Sequence, residues 1–451
     1  MNVIKSKYSD VDIKKIWKEK QDKIISIAIA MFVFSSFFMQ YYVHIIKSFV
    51  LYMFVIVVAA VLIMSVSFSE LKKSLKSICV FWYVAIICIA INIIRTPFDL
   101  NVYVDLITFL TCIIMVACCG KENKNFDLAM KIILLFSVYY AVSVWFQYLF
   151  PNMYNEVYLS WLPARPRKSI IKSVAENAGF VGFSTNAGYT ASHIAAGVIL
   201  TFSKLKNFSL KLKENLKKYG LLLFLLISMF MTGKRAACIF ILGSLFCVLL
   251  ALIEKKYRKT TISVMIVIFV ISIISIIVFR DSLVDVPFFG RIIETVEGLM
   301  NGKDVSSNRF TLYAFALKLF ETNPIFGVGW CNFRRLGAGV ITKVTELEAH
   351  NIYLQMLCEI GVIGFIIVLT PLLVFVLITY KQLKKCVSTG TNMSYEWRTL
   401  LAFSFGYQLY FLLCGLLDNT LYDHNYVLIL FFCYAITMTR IRESNCEMED
   451  I

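Results

Sequence analysis

Charged residues are scarce in this chain. They make up 16% of its 451 residues, whereas a soluble globular protein carries about 25%. Hydrophobic residues reach 59%, and they are concentrated in runs of roughly 20 residues, long enough to cross a hydrocarbon core. This composition excludes a soluble enzyme, a nucleic-acid-binding module and a secreted domain held together by disulfides. It indicates a protein that crosses the membrane many times.

The sequence also lacks metal-binding patterns. It has 13 cysteines but only 4 histidines, and no two cysteines form a CxxC pair or stand at zinc spacing with a histidine. Nearly all of the cysteines fall within apolar runs, where they act as small packing residues. We therefore expect no bound metal ion and no structural disulfide.

The apolar runs predict an all-α polytopic membrane protein with about twelve transmembrane helices. The predicted spans are residues 24–42, 49–69, 78–94, 102–119, 131–150, 188–203, 219–233, 236–253, 261–279, 352–379, 399–417 and 425–439. The chain thus divides into an interfacial segment (1–23), spans one to nine (24–279, with an outer loop at 151–187), a long outer loop (280–351), spans ten to twelve (352–440) and a tail (441–451). A loop of about 70 residues among short connections usually carries function.

Lysines and arginines set the predicted orientation. Most of them fall in alternate connections, such as those that contain Lys72, Lys255 and Lys381, and segments rich in positive charge remain in the cytoplasm. An even number of spans then leaves both termini cytoplasmic. The formal net charge of +16 therefore reflects topology and contact with anionic lipids, and not a nucleic-acid partner.

Basic residues are nevertheless concentrated in the two long outer segments. Positive charge is disfavoured on that side of a membrane, and guanidinium groups match phosphate oxygens bidentately. An anionic phosphate ligand would explain the excess, although contacts with headgroups or with acids of the same loop would explain it equally well from charge alone. These residues are Arg165, Arg167, Lys168, Lys172, Arg280, Arg291, Lys303, Arg309, Lys318, Arg334, Arg335 and Lys343.

The order of residues around Arg309 favours the phosphate. Residues 306–308 read Ser-Ser-Asn, a good N-cap, and they precede an amphipathic pattern that stops before Asn323-Pro324. The pattern predicts a helix of about four turns with Arg309 in its first turn. An arginine there is unfavourable beside the positive end of the helix dipole unless an anion binds.

Three further motifs follow Arg309. Residues 323–329 read NPIFGVG, a Pro/Gly turn in which Gly327 and Gly329 permit close backbone approach. His350 then stands where the tenth span begins, at the head of the sequence HNIYL. The last motif, EIGVIG, begins with Glu359 inside that span, and a buried carboxylate there either holds the bundle together or supports a site.

In this order the motifs resemble those of the O-antigen ligase and O-antigen polymerase superfamily of bacterial polysaccharide assembly. The family signature is an arginine before an amphipathic helix, then Asn-Pro-x-x-Gly-x-Gly, His-Asn-x-Tyr-Leu and Glu-x-Gly-x-x-Gly, and all four occur across residues 309–364. The segment TGKRAA at 232–237 resembles a further small-Arg-small motif, and residues 182–191 are similar to the family's segment before its sixth span. The first 150 residues contribute only the number of spans.

The resemblance implies a GT-C-like, metal-independent, inverting glycosyltransferase in the bacterial plasma (inner) membrane. Such an enzyme needs no cofactor and takes a glycan from undecaprenyl diphosphate at the outer face. Its partners would be the undecaprenyl-diphosphate-linked oligosaccharide, an acceptor glycan, membrane lipids and other polysaccharide-assembly membrane proteins, with no nucleic acid. The residues expected to bind the diphosphate are Arg309 and Arg235, assisted by Arg291, Arg165 and Arg167.

His350 is the predicted general base, because the ordinary pKa of histidine lies near neutral pH. Glu348, two residues earlier, could orient the imidazole or serve as the base itself, and His424 at the outer end of the last span is a further candidate. The residues expected to support the site are Asn351, Glu359, Gly327 and Gly329.

A repeat-unit polymerase is the favoured function. Both of its substrates carry a lipid-linked diphosphate, so it would require more arginines on the outer face, as this chain has. A ligase of the same family, which transfers finished polymer to another acceptor, remains open. A flippase for the same lipid-linked glycan is a more remote alternative, because transporters usually place ionisable groups near the membrane midplane in symmetry-related halves.

Overall fold

The fold is seen in a computed structural model, which describes most of the chain. The described residues are 10–42, 48–67, 69, 71–72, 80–97, 100–120, 122–176, 178–205, 212–284, 286–302, 309–337, 348–389 and 392–449. The N-cap predicted at residues 306–308 lies outside this set, as do Lys303 and Lys343.

Helices account for nearly all of the described chain. The α-helices in order are α1 (Asp10–Tyr42), α2 (Ser48–Met64), α3 (Val80–Arg95), α4 (Leu100–Cys118), α5 (Asp127–Leu149), α6 (Pro151–Val157), α7 (Ala164–Ala175), α8 (Ala187–Ser203), α9 (Leu212–Met231), α10 (Arg235–Leu252), α11 (Arg258–Val278), α12 (Arg280–Leu283), α13 (Pro287–Met300), α14 (Arg309–Thr322), α15 (Asn332–Gly337), α16 (Ile352–Thr389), α17 (Asn392–Cys414) and α18 (His424–Glu449). Short 3₁₀ turns occur at Asn123–Phe126, Leu159–Trp161 and Lys255–Tyr257.

Six helical segments of the described chain are long and apolar enough to cross a membrane. They are Trp17–Phe38, Asn123–Leu149, Arg235–Leu252, Lys255–Val278, Ile352–Ser388 and His424–Ser444, and shorter apolar helices cover Met53–Met64, Phe81–Arg95 and Val102–Cys118. These helices confirm the predicted all-α polytopic membrane fold. The total of twelve crossings stays a prediction.

Several predicted segments differ from the observed helices at their ends. The interfacial segment 1–23 is helical from Asp10 and continues without a break into the first span as α1. The described residues of the long loop 280–351 include the helices α12 to α15. The tail is helical as far as Glu449, because α18 does not stop at the predicted end of the last span.

Two local predictions are confirmed. Only residues 232–234 separate α9 from α10, as expected for the closely spaced seventh and eighth spans. The helix predicted after Asn308 is described from Arg309 and ends at Thr322, immediately before Asn323-Pro324.

Close helix packing forms the core of the bundle. In α8 almost every residue from Thr190 to Ser203 is buried, and α5 approaches it so closely that a Cβ on Gly197 would lie 2.3 Å from Cβ of Ser137. Ser137 also donates a hydrogen bond to the backbone carbonyl of His193 over 2.6 Å. Small residues and interhelical hydrogen bonds of this kind are typical of contacts between membrane helices.

One end of this bundle brings together several chain connections. There α5 ends, α8, α10, α16 and α18 begin, and the backbone N–H of Phe180 donates to the carbonyl of Met231 over 2.9 Å. Ile352, at the start of α16, donates to the carbonyl of Gly415 after α17 over 2.8 Å. We call this end the site face, because the residues predicted to carry the chemistry lie there.

Candidate functional site

The turn between α9 and α10 is fixed by backbone contacts with the connection between α7 and α8. Gly233 has a φ of 65°, and a Cβ at this position would lie 2.2 Å from the carbonyl oxygen of Ala178. Only glycine fits such a contact, since an L-residue both disfavours this φ and adds the clashing carbon. The glycine in the predicted small-Arg-small motif therefore sets where Lys234 and Arg235 emerge.

Two arginine side chains donate hydrogen bonds to backbone carbonyls at and near this turn. Nη1 of Arg235, the first residue of α10, donates to the backbone carbonyl of Arg291 in α13 over 2.7 Å. Nη1 of Arg291 donates in turn to the carbonyls of Ala178 over 3.2 Å and of Gly233 over 3.4 Å. The structure thus brings two of the predicted diphosphate-binding arginines into one cluster.

Arg309 belongs to the same cluster, and Lys234 links the cluster to an acid. Burial lowers the pKa of Lys234, Asp418 opposes that effect, and the positive charges of Arg291 and Arg309 lower it further. Lys234 therefore lies within electrostatic reach of both the arginines and the carboxylate of Asp418. We call Lys234, Arg235, Arg291 and Arg309 the cationic cluster.

The position of Arg309 adds to this positive field. Arg309 lies in the first described turn of α14. Four cations therefore converge on the site face, and a phosphate group is the ligand that this arrangement suits.

His350 faces Asp418, the acid that also interacts with Lys234. Nδ1 of His350 is 3.9 Å from Oδ1 of Asp418, in the connection between α17 and α18. Burial raises the pKa of Asp418, but the contact with His350, the backbone N–H of Asn419 at 2.9 Å and the charge of Lys234 outweigh it, and the pKa lies below its ordinary value. The carboxylate that faces the imidazole is thus held ionised.

The backbone around His350 is strained and held. His350 has a φ of 51°, a left-handed conformation that is uncommon outside glycine. Oη of Tyr313 donates to its carbonyl over 3.4 Å, and Oδ1 of Asn351 caps α16 by accepting from the N–H groups of Tyr353 and Leu354 over 3.0 Å each. Asn351 therefore supports the site as a helix cap.

Glu348 contacts an arginine and an amide side chain. Its carboxylate pairs with Arg334 and also accepts from Nδ2 of Asn419. These contacts tie residue 348 to α15 and to the connection that carries Asp418. Asp418 is the acid that the structure places next to the imidazole of His350, and a catalytic role for Glu348 stays a prediction.

Glu359 is buried and anchors the chain around the site. Its carboxylate accepts from the backbone N–H of Cys331 over 2.8 Å and of Phe333 over 3.1 Å, at the start of α15. It also accepts from Nε2 of Gln355 over 3.3 Å, and Oε1 of Gln355 accepts from the N–H of Ala349 over 3.1 Å. This relay connects Glu359 to the residue before His350.

The remaining predicted residues fall outside the cluster. Arg167 in α7 donates to the carbonyls of Ser160 over 2.7 Å and of Leu162 over 2.8 Å, within its own loop, and Arg165 is exposed on the same helix. His424, the further base candidate, has Nε2 2.9 Å from Oδ1 of Asp105 in α4. A diphosphate role for Arg165 and Arg167 stays a prediction.

Sequence reasoning missed Asp418 and Asp423. Both lie in the short polar stretch between the last two spans, and Asp423 directly precedes His424. Burial and the neighbouring Asp418 raise the pKa of Asp423 to about 7. Acids in an otherwise apolar region were the available signal, but nothing in the spacing along the chain connects them with His350.

A metal site is not evident in the part of the chain that the structure describes. No three His, Cys, Asp or Glu side chains there are grouped so that they could hold a metal ion. The groups available to neutralise an anionic ligand are those of the cationic cluster.

The comparison with known families agrees with this geometry. A family model described as O-Antigen ligase matches residues 220–369, a range that contains Arg235, Arg291, Arg309 and His350. No curated protein matches the chain. The match confirms the resemblance drawn from the motifs: over residues 220–369 the chain is similar to the O-antigen ligase family.

Proposed function

We propose that this protein is a metal-independent, inverting glycosyltransferase that moves a glycan from undecaprenyl diphosphate to a sugar hydroxyl at the outer face of the plasma membrane. The observation that carries the proposal is the adjacency of the cationic cluster and the His350–Asp418 pair on one face of the bundle. A leaving diphosphate and an acceptor proton need these two kinds of group side by side.

The reaction is a single displacement at the anomeric carbon. The acceptor oxygen forms a bond to this carbon while the bond to the diphosphate oxygen breaks, and its electron pair stays on the diphosphate. Arg235, Arg291 and Arg309 stabilise the departing negative charge, as fixed cations do in a site from which water is excluded. Because the cations are side chains, no metal ion takes part in the proposal.

His350 accepts the proton of the acceptor hydroxyl. Its Nδ1 faces Asp418 at 3.9 Å, so Nε2 is the atom that we assign to the acceptor. The ionised Asp418 orients the ring and stabilises the imidazolium that forms. A general base of this kind contributes roughly 10²–10⁴-fold to a rate.

Repeat-unit polymerisation is the form of the reaction that we favour. A polymerase binds two lipid-linked diphosphates, and the further basic residues Arg165, Arg167 and Lys168 on α7 offer positive charge outside the cationic cluster. A ligase, which would carry finished polymer to a different acceptor, uses the same chemistry at His350 and is the second candidate, since the matched family is described as O-Antigen ligase.

Reconstituted transfer tests the proposal. The protein in nanodiscs would receive a polyprenyl-diphosphate oligosaccharide in the presence of EDTA, with and without an added acceptor glycan, and the products would be separated on a gel. A ladder of repeats supports the polymerase, and one discrete product that depends on the acceptor supports the ligase. Flipping of the donor in proteoliposomes without any transfer would replace the proposal by a transporter.

A further inference from the structure

A buried carboxylate in α4 joins two segments that flank the candidate site. Asp105 is 7% exposed. Its Oδ2 accepts from Nε1 of Trp330 over 2.9 Å and from Sγ of Cys331 over 3.3 Å. Its Oδ1 lies 2.9 Å from Nε2 of His424. One side chain thus contacts both the turn before α15 and the first residue of α18.

The contact with His424 fixes one end of the loop that carries Asp418. This loop runs from Gly415 to Asp423, and its first end is held by the hydrogen bond from Ile352 to Gly415 at 2.8 Å. Its second end passes directly into His424, which Asp105 holds. A loop anchored at both ends keeps an acid at its centre in one position.

The contact with Trp330 reinforces the same end. The Trp330 ring is fully buried and stacks on the ring of Tyr422, with centroids 4.6 Å apart and an interplanar angle of 23°. Since Tyr422 lies two residues before His424, Asp105 holds the loop both directly and through the indole. The carbonyl of Trp330 is fixed separately, by Oγ1 of Thr96 at 3.0 Å.

We infer that Asp105 is a positioning residue, which acts through His424 and Trp330 to hold the Asp418 loop against His350. The inference rests on the proposed transfer reaction and extends the site beyond residues 220–369 to the fourth helix. Asp105 reaches neither the cationic cluster nor His350, so it affects the placement of the acid and leaves donor binding alone.

Kinetics and hydrogen exchange test this role together. Asp105→Ala should lower kcat for polyprenyl diphosphate release by about 10- to 100-fold, since a misplacement of about 1 Å costs a site that much, with the donor KM within about twofold of wild type. Asp105→Asn should restore most of the activity, because its amide oxygen accepts from Trp330 while its N–H donates to His424. Amides of residues 416–423 should exchange faster in Asp105→Ala.

A matched control removes buried hydrogen bonds elsewhere in the same helix as His424. Thr437→Val loses contacts to Thr379 at 2.8 Å and Ser404 at 3.1 Å, and it lies 13 residues beyond His424, about 20 Å along α18. This variant should keep wild-type kcat and wild-type exchange in the loop. If Asp105→Ala cannot be purified folded, Trp330→Phe keeps the stack on Tyr422 and should show a smaller drop in kcat, of about 3- to 10-fold.

Two results would overturn the inference. One is a kcat of Asp105→Ala, or of Trp330→Phe in its place, within twofold of wild type; the other is unchanged exchange in residues 416–423. The exchange measurement does not depend on activity. If the wild-type protein releases no diphosphate, the proposed function fails, while the exchange still decides whether Asp105 holds the loop.

Discussion

The backbone at His350 is tightly constrained by its surroundings. A left-handed φ on a non-glycine residue costs about 1–3 kcal/mol and persists only where the surroundings enforce it. Here the cap from Asn351, the hydrogen bond from Tyr313 and the backbone bond from Ile352 to Gly415 enforce it. The backbone that carries the imidazole is therefore held in place before any substrate arrives, as the positioning of a general base requires.

Arg309 should determine how well the donor binds. Arg309→Ala removes a cation from the cluster and should raise the donor KM at least about tenfold, because a charge-assisted hydrogen bond contributes roughly 1.5–3 kcal/mol. Arg309→Lys keeps the positive charge but loses the forked geometry of the guanidinium, so its donor KM should lie between those of wild type and Arg309→Ala. Steady-state kinetics of diphosphate release would give these values.

Arg280→Ala is the control for that series. Arg280 lies in the same long loop but pairs with Glu297, and both side chains are about half exposed. Its loss should leave the donor KM near wild type. An Arg309→Ala variant that is indistinguishable from Arg280→Ala would remove Arg309 from the site.

Asp423 predicts a dependence of stability on pH. Its pKa is near 7 in the folded chain against 3.8 ordinarily, so the folded state holds this proton between about pH 4 and 7 while the unfolded chain releases it. Stability from this group is therefore present below pH 4 and is lost as the pH rises towards 7. The Asp423→Asn variant has no such proton to release, so its stability does not fall for this reason as the pH rises.

The Tm difference between Asp423→Asn and wild type should grow by a degree or more between pH 5 and pH 8, measured in nanodiscs. The hydrogen bonds from Asn425 to Oδ1 of residue 423, at 3.0 and 2.9 Å, can persist in the variant. A difference that shrinks over this range would contradict the raised pKa.

Sequence alone found most of the cationic cluster and the histidine, but not the acid. Arg235, Arg309 and His350 stand in recognisable motifs, and each motif reports a local backbone need or charge. Asp418 has no such motif, because its task is defined only by a contact across helices that the chain order does not encode.

At the scale of elements, the NPIFGVG turn docks backbone to backbone on α16. The N–H groups of Val328 and Gly329 donate to the carbonyls of Cys358 and Glu359 over 2.9 and 2.7 Å, and the N–H of Val362 donates to Pro324 over 2.9 Å. The helix bends at Gly361, where φ is 68°. Because of this bend, the backbone groups on either side of Gly361 bond to the turn instead of to the helix itself. Two glycine motifs that looked separate in the sequence are the two sides of one contact.

Gly327→Ala should disrupt this contact. A Cβ there would lie 2.3 to 2.5 Å from backbone atoms of Glu359 and Ile360, and the φ of 65° is itself unfavourable for alanine. We expect the variant to lose about 2 kcal/mol or more of unfolding free energy, seen as a lower Tm in nanodiscs.

Gly220→Ala is the matched control. Gly220 lies inside α9, and a Cβ there meets nothing within 4 Å, so alanine should be neutral or stabilise by up to about 1 kcal/mol. Equal Tm values for the two alanine variants would refute the docking role of Gly327.

The end of α14 could be predicted, because Asn323-Pro324 marks it locally. The bend in α16 could not. Gly361 was visible in the sequence, but a glycine inside an apolar run is compatible with a straight helix. The bend depends on the partner turn, in which the carbonyl of Ile325 would lie 2.2 Å from a Cβ at residue 361.

At the scale of the whole molecule, some helices of the bundle are buried among others, and some face the lipid. α18 is among the buried helices, with 83% of its apolar window inside the protein, whereas α11 has no buried residue and is apolar all round, as a lipid-exposed span is. The number of spans was predicted from such runs, but run length alone cannot separate a crossing from a buried helix.

The predicted orientation makes the site face external. Ser160→Cys, at an exposed position before α7, should react with a membrane-impermeant maleimide on intact cells. Ser388→Cys, exposed near the end of α16, should react only after permeabilisation, because the neighbouring Lys384 and Lys385 mark that end as cytoplasmic. The opposite pattern would invert the topology and place the candidate site inside the cell.

The catalytic role of His350 is tested by polyprenyl diphosphate release in nanodiscs with EDTA, measured for wild type, His350→Ala, Asp418→Asn and Lys255→Ala. We expect release by wild type and by Lys255→Ala, a loss of about 10²–10⁴-fold in His350→Ala and a smaller loss in Asp418→Asn. Near-wild-type release by a folded His350→Ala variant would contradict the claim that the His350–Asp418 pair beside the cationic cluster is the active site.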